Sequence, residues 1–236
     1  MTDDHELEGL DPCAILDAEA LRIDAFLSTF PDDDPAWDAP TGCAAWNRRQ
    51  LLNHLAHAEE YHHACFQDRL GPFFETLVAA GATDLHGFNE LGLKAREGRP
   101  PSEVLAEWRE ADAWTRRAFR ERGAAEMATS VGLYPARWQA FHVASELATH
   151  ADDLGVPVSV TEAASRLRWR ARFSRFALME AKPGVVAESA GGDVTAIDGP
   201  LQLAVDDATF VAAVAGRLGP EAPLDAEERS LLSTMP

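Results

Sequence analysis

The stretch ASELATHADD, residues 144–153, sets Glu146 and His150 four positions apart, with His142 four positions before Glu146. Side chains at that spacing meet on one face of a helix, so an imidazole and a carboxylate can turn their lone pairs towards one cation. His142 and His150 are separated by roughly 12 Å along a helix axis, too far for both to share an ion. The half-site is therefore Glu146 with one histidine. A third donor has to come from another helix, where His54 and His57 are the candidates. Two imidazoles and a carboxylate leave a position open for water or substrate, as a catalytic zinc site requires. Spacing alone does not demand a metal, because a solvated polar helix face gives the same pattern. His54 can equally be a hydrogen-bonded core histidine. His57, His62 and His63 are expected on surface or partly buried faces, and Cys65 as a small buried apolar residue.

Four long helices are needed to position these residues. Ile15, Leu16, Leu21, Ile23, Phe26 and Leu27 recur on one stripe and predict a helix over 14–30. A Pro- and Asp-rich loop follows, and then a helix over 47–69 that Asn47 can cap. Five glycines and two prolines break residues 71–100 into short helices and loops. Phe73, Phe74, His86 and Phe88 from this segment are expected to line a pocket. Pro101 opens a third long helix that Gly123 stops. After a turn region, residues 136–154 form the fourth, ended by Gly155 and Pro157. Four such helices predict a bundle with a site built from facing helices. Beyond residue 160 the pattern changes. A linking helix carries Trp169, Phe173 and Phe176, although the alternation of Arg166, Arg168, Arg170 and Arg172 with apolar residues also permits a strand. A hairpin or small sheet is expected around Gly191 and Gly192, and DATFVAAVAGRL reads as a final helix. The fold class expected is mainly α, a bundle over residues 1–160 followed by a small α+β domain over 161–236.

The net charge of −18 over 236 residues argues against nucleic acid or an anionic membrane surface as partners. No apolar run reaches the ~20 residues of a membrane span. The start, MTDDHELEGLD, lacks the basic and apolar regions of a signal peptide, and three cysteines at no zinc-ribbon spacing suit a reducing compartment. A cytoplasmic location is expected. The arginines of 166–175 are expected to form salt bridges within a very acidic protein.

Two segments read together narrow the alternatives. Residues 37–61, WDAPTGCAAWNRRQLLNHLAHAEEY, resemble the start of the DinB-like, mycothiol-dependent maleylpyruvate isomerase family, through Pro40, Thr41, Cys43, Trp46 and His54. Glu146, His150, Asp153 and Leu154 match its second motif, Glu-x-x-x-His followed closely by Asp-Leu. The resemblance implies a DinB-like bundle in which His54, Glu146 and His150 bind one divalent metal, zinc by expectation. It thereby favours His150 over His142. AVAGRL resembles the end of the family's small C-terminal domain, which implies that Arg217 helps to bind the thiol cofactor or substrate.

The implied chemistry is thiol activation. A three-ligand zinc ion can hold a thiol as thiolate, and the thiolate is the nucleophile in thiol transfer. Mycothiol as cosubstrate and an electrophilic small molecule as substrate follow from the resemblance. Asp153 is placed to orient a ligand. Two other classes compete: a non-heme iron oxygenase, since two histidines and a carboxylate also describe a facial triad, and a DinB-like binding or stress protein without catalysis.

Overall fold

The structure is a computed structural model that describes residues 4–234. The first three residues of the acidic N-terminal stretch lie outside the described residues. The chain divides into two compact units: Asp11–Val156, and a second that joins the chain before Asp11 to the chain after Val156.

The first unit holds the bundle. Helix α1, Pro12–Leu27, starts where the Asp11 carboxylate accepts the amides of Cys13 and Ala14, with proline at its first position. Helix α2, Arg48–Phe66, is opened by a capping box in which Asn47 and Gln50 satisfy each other's backbone amides. Helices α3, Leu70–Ala79, and α4, Leu85–Ala95, occupy the glycine-broken segment. Helix α5, Pro101–Arg122, ends at Gly123 with positive φ. Strands β1, Glu126–Thr129, and β2, Gly132–Pro135, form an antiparallel hairpin where only a turn region was expected. Helix α6, Ala136–Leu154, ends in a left-handed Gly155, a backbone conformation that glycine adopts without strain.

Helix α1 packs along α6 and α2 along α5, while α4 lies on α2. Leu16, Ile23 and Leu27 of α1, Leu51, Leu52 and Leu55 of α2, Trp108 and Phe119 of α5, and Phe141 and Leu147 of α6 are buried. Helices α2 and α6 are not among the closely packed pairs. Long polar side chains, rather than backbone contact, span the space between them.

In the second unit, helix α7, Val160–Ala181, excludes the strand alternative: Trp169, Phe173 and Phe176 are buried at helical spacing. Strands β3, Val186–Ser189, β4, Val194–Asp198, and β5, Leu203–Asp206, form an antiparallel meander. Helix α8, Asp207–Val214, is shorter than the predicted final helix and is not the last, because helix α9, Ala226–Leu232, follows behind an Asp225–Glu228 capping box. Leu178, Ala187, Ile197, Val205, Phe210 and Leu232 form the apolar core of this unit. A short 3-10 turn, His5–Leu7, also belongs to it: the turn lies on α7, where Glu6 pairs with Arg175 at 2.9 Å. Among the described residues, no helix is long and apolar enough to cross a membrane.

Candidate metal centre

His54 sits on the second turn of α2, and Glu146 and His150 sit one turn apart on α6. One donor atom from each lies within 4.8 Å of the other two. His54 Nε2 is 3.2 Å from Glu146 Oε1, and the two imidazole rings meet edge to face with centroids 5.0 Å apart. Both histidines are buried, whereas 38% of the Glu146 side chain remains accessible. The carboxylate end of the cluster is thus the end a small molecule can reach.

The other ring nitrogen of each histidine is already engaged. His150 Nδ1 is 3.0 Å from Asp153 Oδ2 and His54 Nδ1 is 3.2 Å from Asn89 Oδ1. An Nδ1–H donated to an oxygen leaves the Nε2 lone pair for a cation, the tautomer that metal-ligating histidines are held in. The donor set therefore fits a divalent metal of the zinc type: two imidazole nitrogens, one carboxylate and fixed ring orientation. Burial works against the charged form of Glu146. Its contact with His54, with His150 and His62 nearby, outweighs that cost and holds the carboxyl down at about 2. Burial, reinforced by His54, holds the His150 imidazole below its usual range against the pull of Asp153.

The loop before α2 closes over this cluster. The Thr41 hydroxyl donates to the Trp46 carbonyl at 2.7 Å and accepts the Cys43 amide at 3.1 Å, which folds residues 41–46 into a tight turn. Gly42 donates its amide to the Asp153 carbonyl at 2.8 Å. A side chain at Gly42 would start 3.0 Å from both Cα and Oδ1 of Asp153, so glycine is what lets the loop seat there. Trp46 lies over the His54 ring with centroids 4.6 Å apart and reaches His150 at 6.4 Å. The Pro-Thr-Gly-Cys-Ala-Ala-Trp segment thus has a physical role at the site, although only His54 beside it was expected as a ligand.

The other histidines are elsewhere. His142, on the same stripe of α6, pairs with the Tyr134 hydroxyl at 3.0 Å and is not in the cluster. His57 and His62 are fully buried, against the expectation of surface or partly buried positions. His57 stacks on Phe88, with centroids 4.2 Å apart. His62 faces Glu59, whose carboxylate also accepts the Thr115 hydroxyl at 2.5 Å. Burial lowers the affinity of His62 for a proton, but Glu59, with Glu146 and Asp112 nearby, raises it overall. Burial, and next the Glu59 charge, push the Asp112 carboxyl up to about 7 despite its bond to Arg116. A line of buried ionisable groups therefore runs from α5 through α2 towards Glu146, and sequence reasoning did not single it out. Asn89 and Trp46 were also missed as site residues. Of the expected pocket residues, Phe73 and Phe88 are partly buried against each other, whereas Phe74 and His86 are exposed. Arg217 belongs to the second unit, just past α8, where Gly216 has positive φ and the guanidinium is partly buried.

The profile of the mycothiol maleylpyruvate isomerase N-terminal domain family matches residues 16–155, more than half of the chain. The chain belongs to this family. It is DinB-like and a family of enzymes, so the expectation of an enzyme holds. Two solved structures share the fold. A mycothiol-dependent maleylpyruvate isomerase aligns with a TM-score of 0.60 at 16% identity, covering 97% of each chain. A histidine-to-alanine mutant of a mycothiol-dependent maleylpyruvate isomerase aligns with a TM-score of 0.58 at 16% identity, covering 92% of each chain. No curated protein sequence matches the chain.

Proposed function

We propose that the chain is a metal-dependent enzyme that uses mycothiol, as thiolate, for cis–trans isomerisation of an electrophilic small molecule or for S-transfer to it. The observation that carries this reading is the convergence of His54, Glu146 and His150 within 4.8 Å, with both Nδ1 atoms engaged by oxygen. Membership of an isomerase family named for mycothiol supports the choice of thiol. A divalent ion held by these three residues, zinc by donor type, would lower the pKa of a bound thiol and keep it deprotonated near neutral pH.

The chain's own residues supply the rest. Asp153 holds the His150 ring in place. Trp46 shields the imidazoles from bulk water, which strengthens electrostatic interactions at the site. The accessible side of Glu146 is where thiol and substrate arrive. Arg217 is assigned to the anionic groups of the thiol cofactor or substrate, in line with the family resemblance. The thiolate sulfur adds to one carbon of an activated C=C bond, and the electron pair moves onto the conjugated carbonyl. Rotation about the resulting single bond and expulsion of the thiolate give the trans product. Protonation and release of the adduct give S-transfer instead.

The test is metal analysis of protein purified without added metal, followed by calorimetric titration with mycothiol and turnover of activated alkenes. About one zinc per chain and turnover that requires the thiol support the reading. Turnover that ignores the thiol and stops without oxygen would establish the facial-triad oxygenase instead. Stoichiometric metal with no thiol binding would establish a non-catalytic binding protein.

A further inference from the structure

Helix α4 reaches the cluster through one residue. Asn89 Oδ1 lies 3.2 Å from His54 Nδ1, although Asn89 and His54 are far apart in sequence and sit on different helices. What brings α4 so close is visible one turn later. Gly92 is buried against His57, and a Cβ built on it would fall 2.3 Å from His57 Cγ, 2.4 Å from Cδ2 and 2.5 Å from Cβ. Any larger residue at 92 must therefore push α4 off α2. Gly92 sits in a helix interior, where glycine costs about 1 kcal/mol relative to alanine. Phe88, one turn before Gly92, stacks on the same imidazole. His57 is thus clamped between α2 and α4 as a flat spacer. Beyond this packing its Nδ1 faces the Glu60 carboxylate at 3.2 Å, the one polar contact of the ring among the described residues.

We propose that Asn89 is a positioning residue for the metal centre: its side-chain oxygen fixes the His54 tautomer that presents Nε2, and the Gly92–His57 contact holds it in reach. This rests on the metal reading above and adds a residue and a helix to it. The two histidines then differ in the partner that orients them. His150 is engaged by a carboxylate, Asp153, which orients its ring and adds a negative charge beside it. His54 donates to a neutral amide, which orients the ring without adding charge to a site that already holds Glu146. Asparagine at 89 keeps the negative charge around the ion below what two aspartates would give.

The experiment uses the full-length protein and two probes, Zn²⁺ in competition with a chromophoric chelator and Co²⁺ for its visible spectrum. Zinc binding by the unmodified protein tests the metal reading on its own. Given that binding, Asn89→Ala should weaken zinc affinity by about 10–100-fold and alter the Co²⁺ spectrum, with helical content unchanged. Asn89→Asp, which keeps an acceptor, should restore affinity. In zinc-loaded protein, two-bond ¹H–¹⁵N spectra should show His54 protonated at Nδ1, and that signal should lose its definition in Asn89→Ala. Gly92→Ala should reproduce the loss of affinity by moving α4. Unchanged zinc affinity in folded Asn89→Ala overturns the proposal while leaving the metal reading standing. Equal loss in Asn89→Ala and Asn89→Asp also overturns it, because packing at position 89, and not the acceptor, would then be what matters. No zinc or cobalt binding by the unmodified protein defeats the metal reading itself.

Discussion

Both units bury charge, but in opposite arrangements. In the second unit Arg175 lies between Glu6, at 2.9 Å, and the Thr195 hydroxyl, at 3.1 Å, and Thr195 in turn donates to Asp207 at 2.7 Å. Cation meets anion and donor meets acceptor, beside an apolar core of Leu178, Ile197 and Phe210. In the bundle, His54 Nε2, His150 and Glu146 bring three electron-rich groups to one point. Nothing there neutralises them except protons or a cation. Arg175 is held between two carboxylates, with its Nε lacking a hydrogen-bond partner among the described residues, whereas the bundle cluster gathers donor atoms that a cation from outside could join. That difference separates a structural ion cluster from a candidate site.

The largest effects should come from exchanging the two cases. Replacing both His54 and His150 by Ala should abolish metal binding and thiol-dependent turnover, with thermal unfolding little changed, because buried apolar stripes hold the helices. Metal retained at full occupancy in that double mutant would remove the basis of the contrast. Arg175→Met should do the reverse. It strands Glu6 and Asp207 and should cost about 3–5 kcal/mol in urea unfolding, with the metal content of the folded protein unchanged.

Smaller effects sharpen the picture within the bundle. Asp153→Asn should lower zinc affinity by about 10–100-fold through the His150 ring, measured by chelator competition. His142→Ala should leave metal content as it is, since His142 pairs with Tyr134 instead. If metal content falls there and not in His150→Ala, the wrong end of the α6 stripe has been assigned.

The smallest effects concern pH. Asp112 is pushed up to about 7 in the fold, chiefly by burial, so the folded protein holds that proton more tightly than the unfolded chain, whose aspartates titrate near 4. Its contribution to stability is present at low pH and is lost as pH rises from about 4 to about 7. Glu60 runs the other way. Burial opposes its ionisation, but contacts with His57 and Arg96 hold it down at about 2, so its contribution is lost as pH falls from about 4.5 towards 2. Denaturation series across pH should therefore run parallel to the unmodified protein at low pH and diverge as pH rises, in opposite directions: Glu60→Gln falls behind between about 2 and 4.5, and Asp112→Asn pulls ahead between about 4 and 7.

The parts of the fold that could be read from sequence are those with punctuation. Asn47, Pro101, Gly123 and Gly155 mark the ends of α2, α5 and α6 because capping chemistry is local. The β1–β2 hairpin was passed over because four-residue strands are too short to show an alternation. Helix α9 announced itself through Asp225 and Glu228 and was overlooked, though this is the capping signal that served elsewhere. Glycines blurred α3 and α4, and in the case of Gly92 the reason is tertiary: the residue is small because the His57 ring occupies the space. The three donors could be named because two of them share a helix and the third stands in a recognisable motif. Asn89 could not. A single asparagine between Phe88 and Glu90 carries no periodicity, and its meaning exists only once α4 lies on α2.

Helix α3 carries Phe73, Phe74, Leu77 and Val78, yet none of its residues is buried, and its first residue has no side-chain cap. Few packed atoms have to separate for its backbone bonds to open, whereas α2 and α5 open only with the bundle core. The opening free energy should therefore be graded along the chain. In native-state amide exchange, α3 should lose protection well before α2, and a protease should cut first beside Gly81. Helix α3 is thus a separate, low-stability unit of folding, able to open while α4, held on α2 at Gly92 and His57, keeps Asn89 against His54.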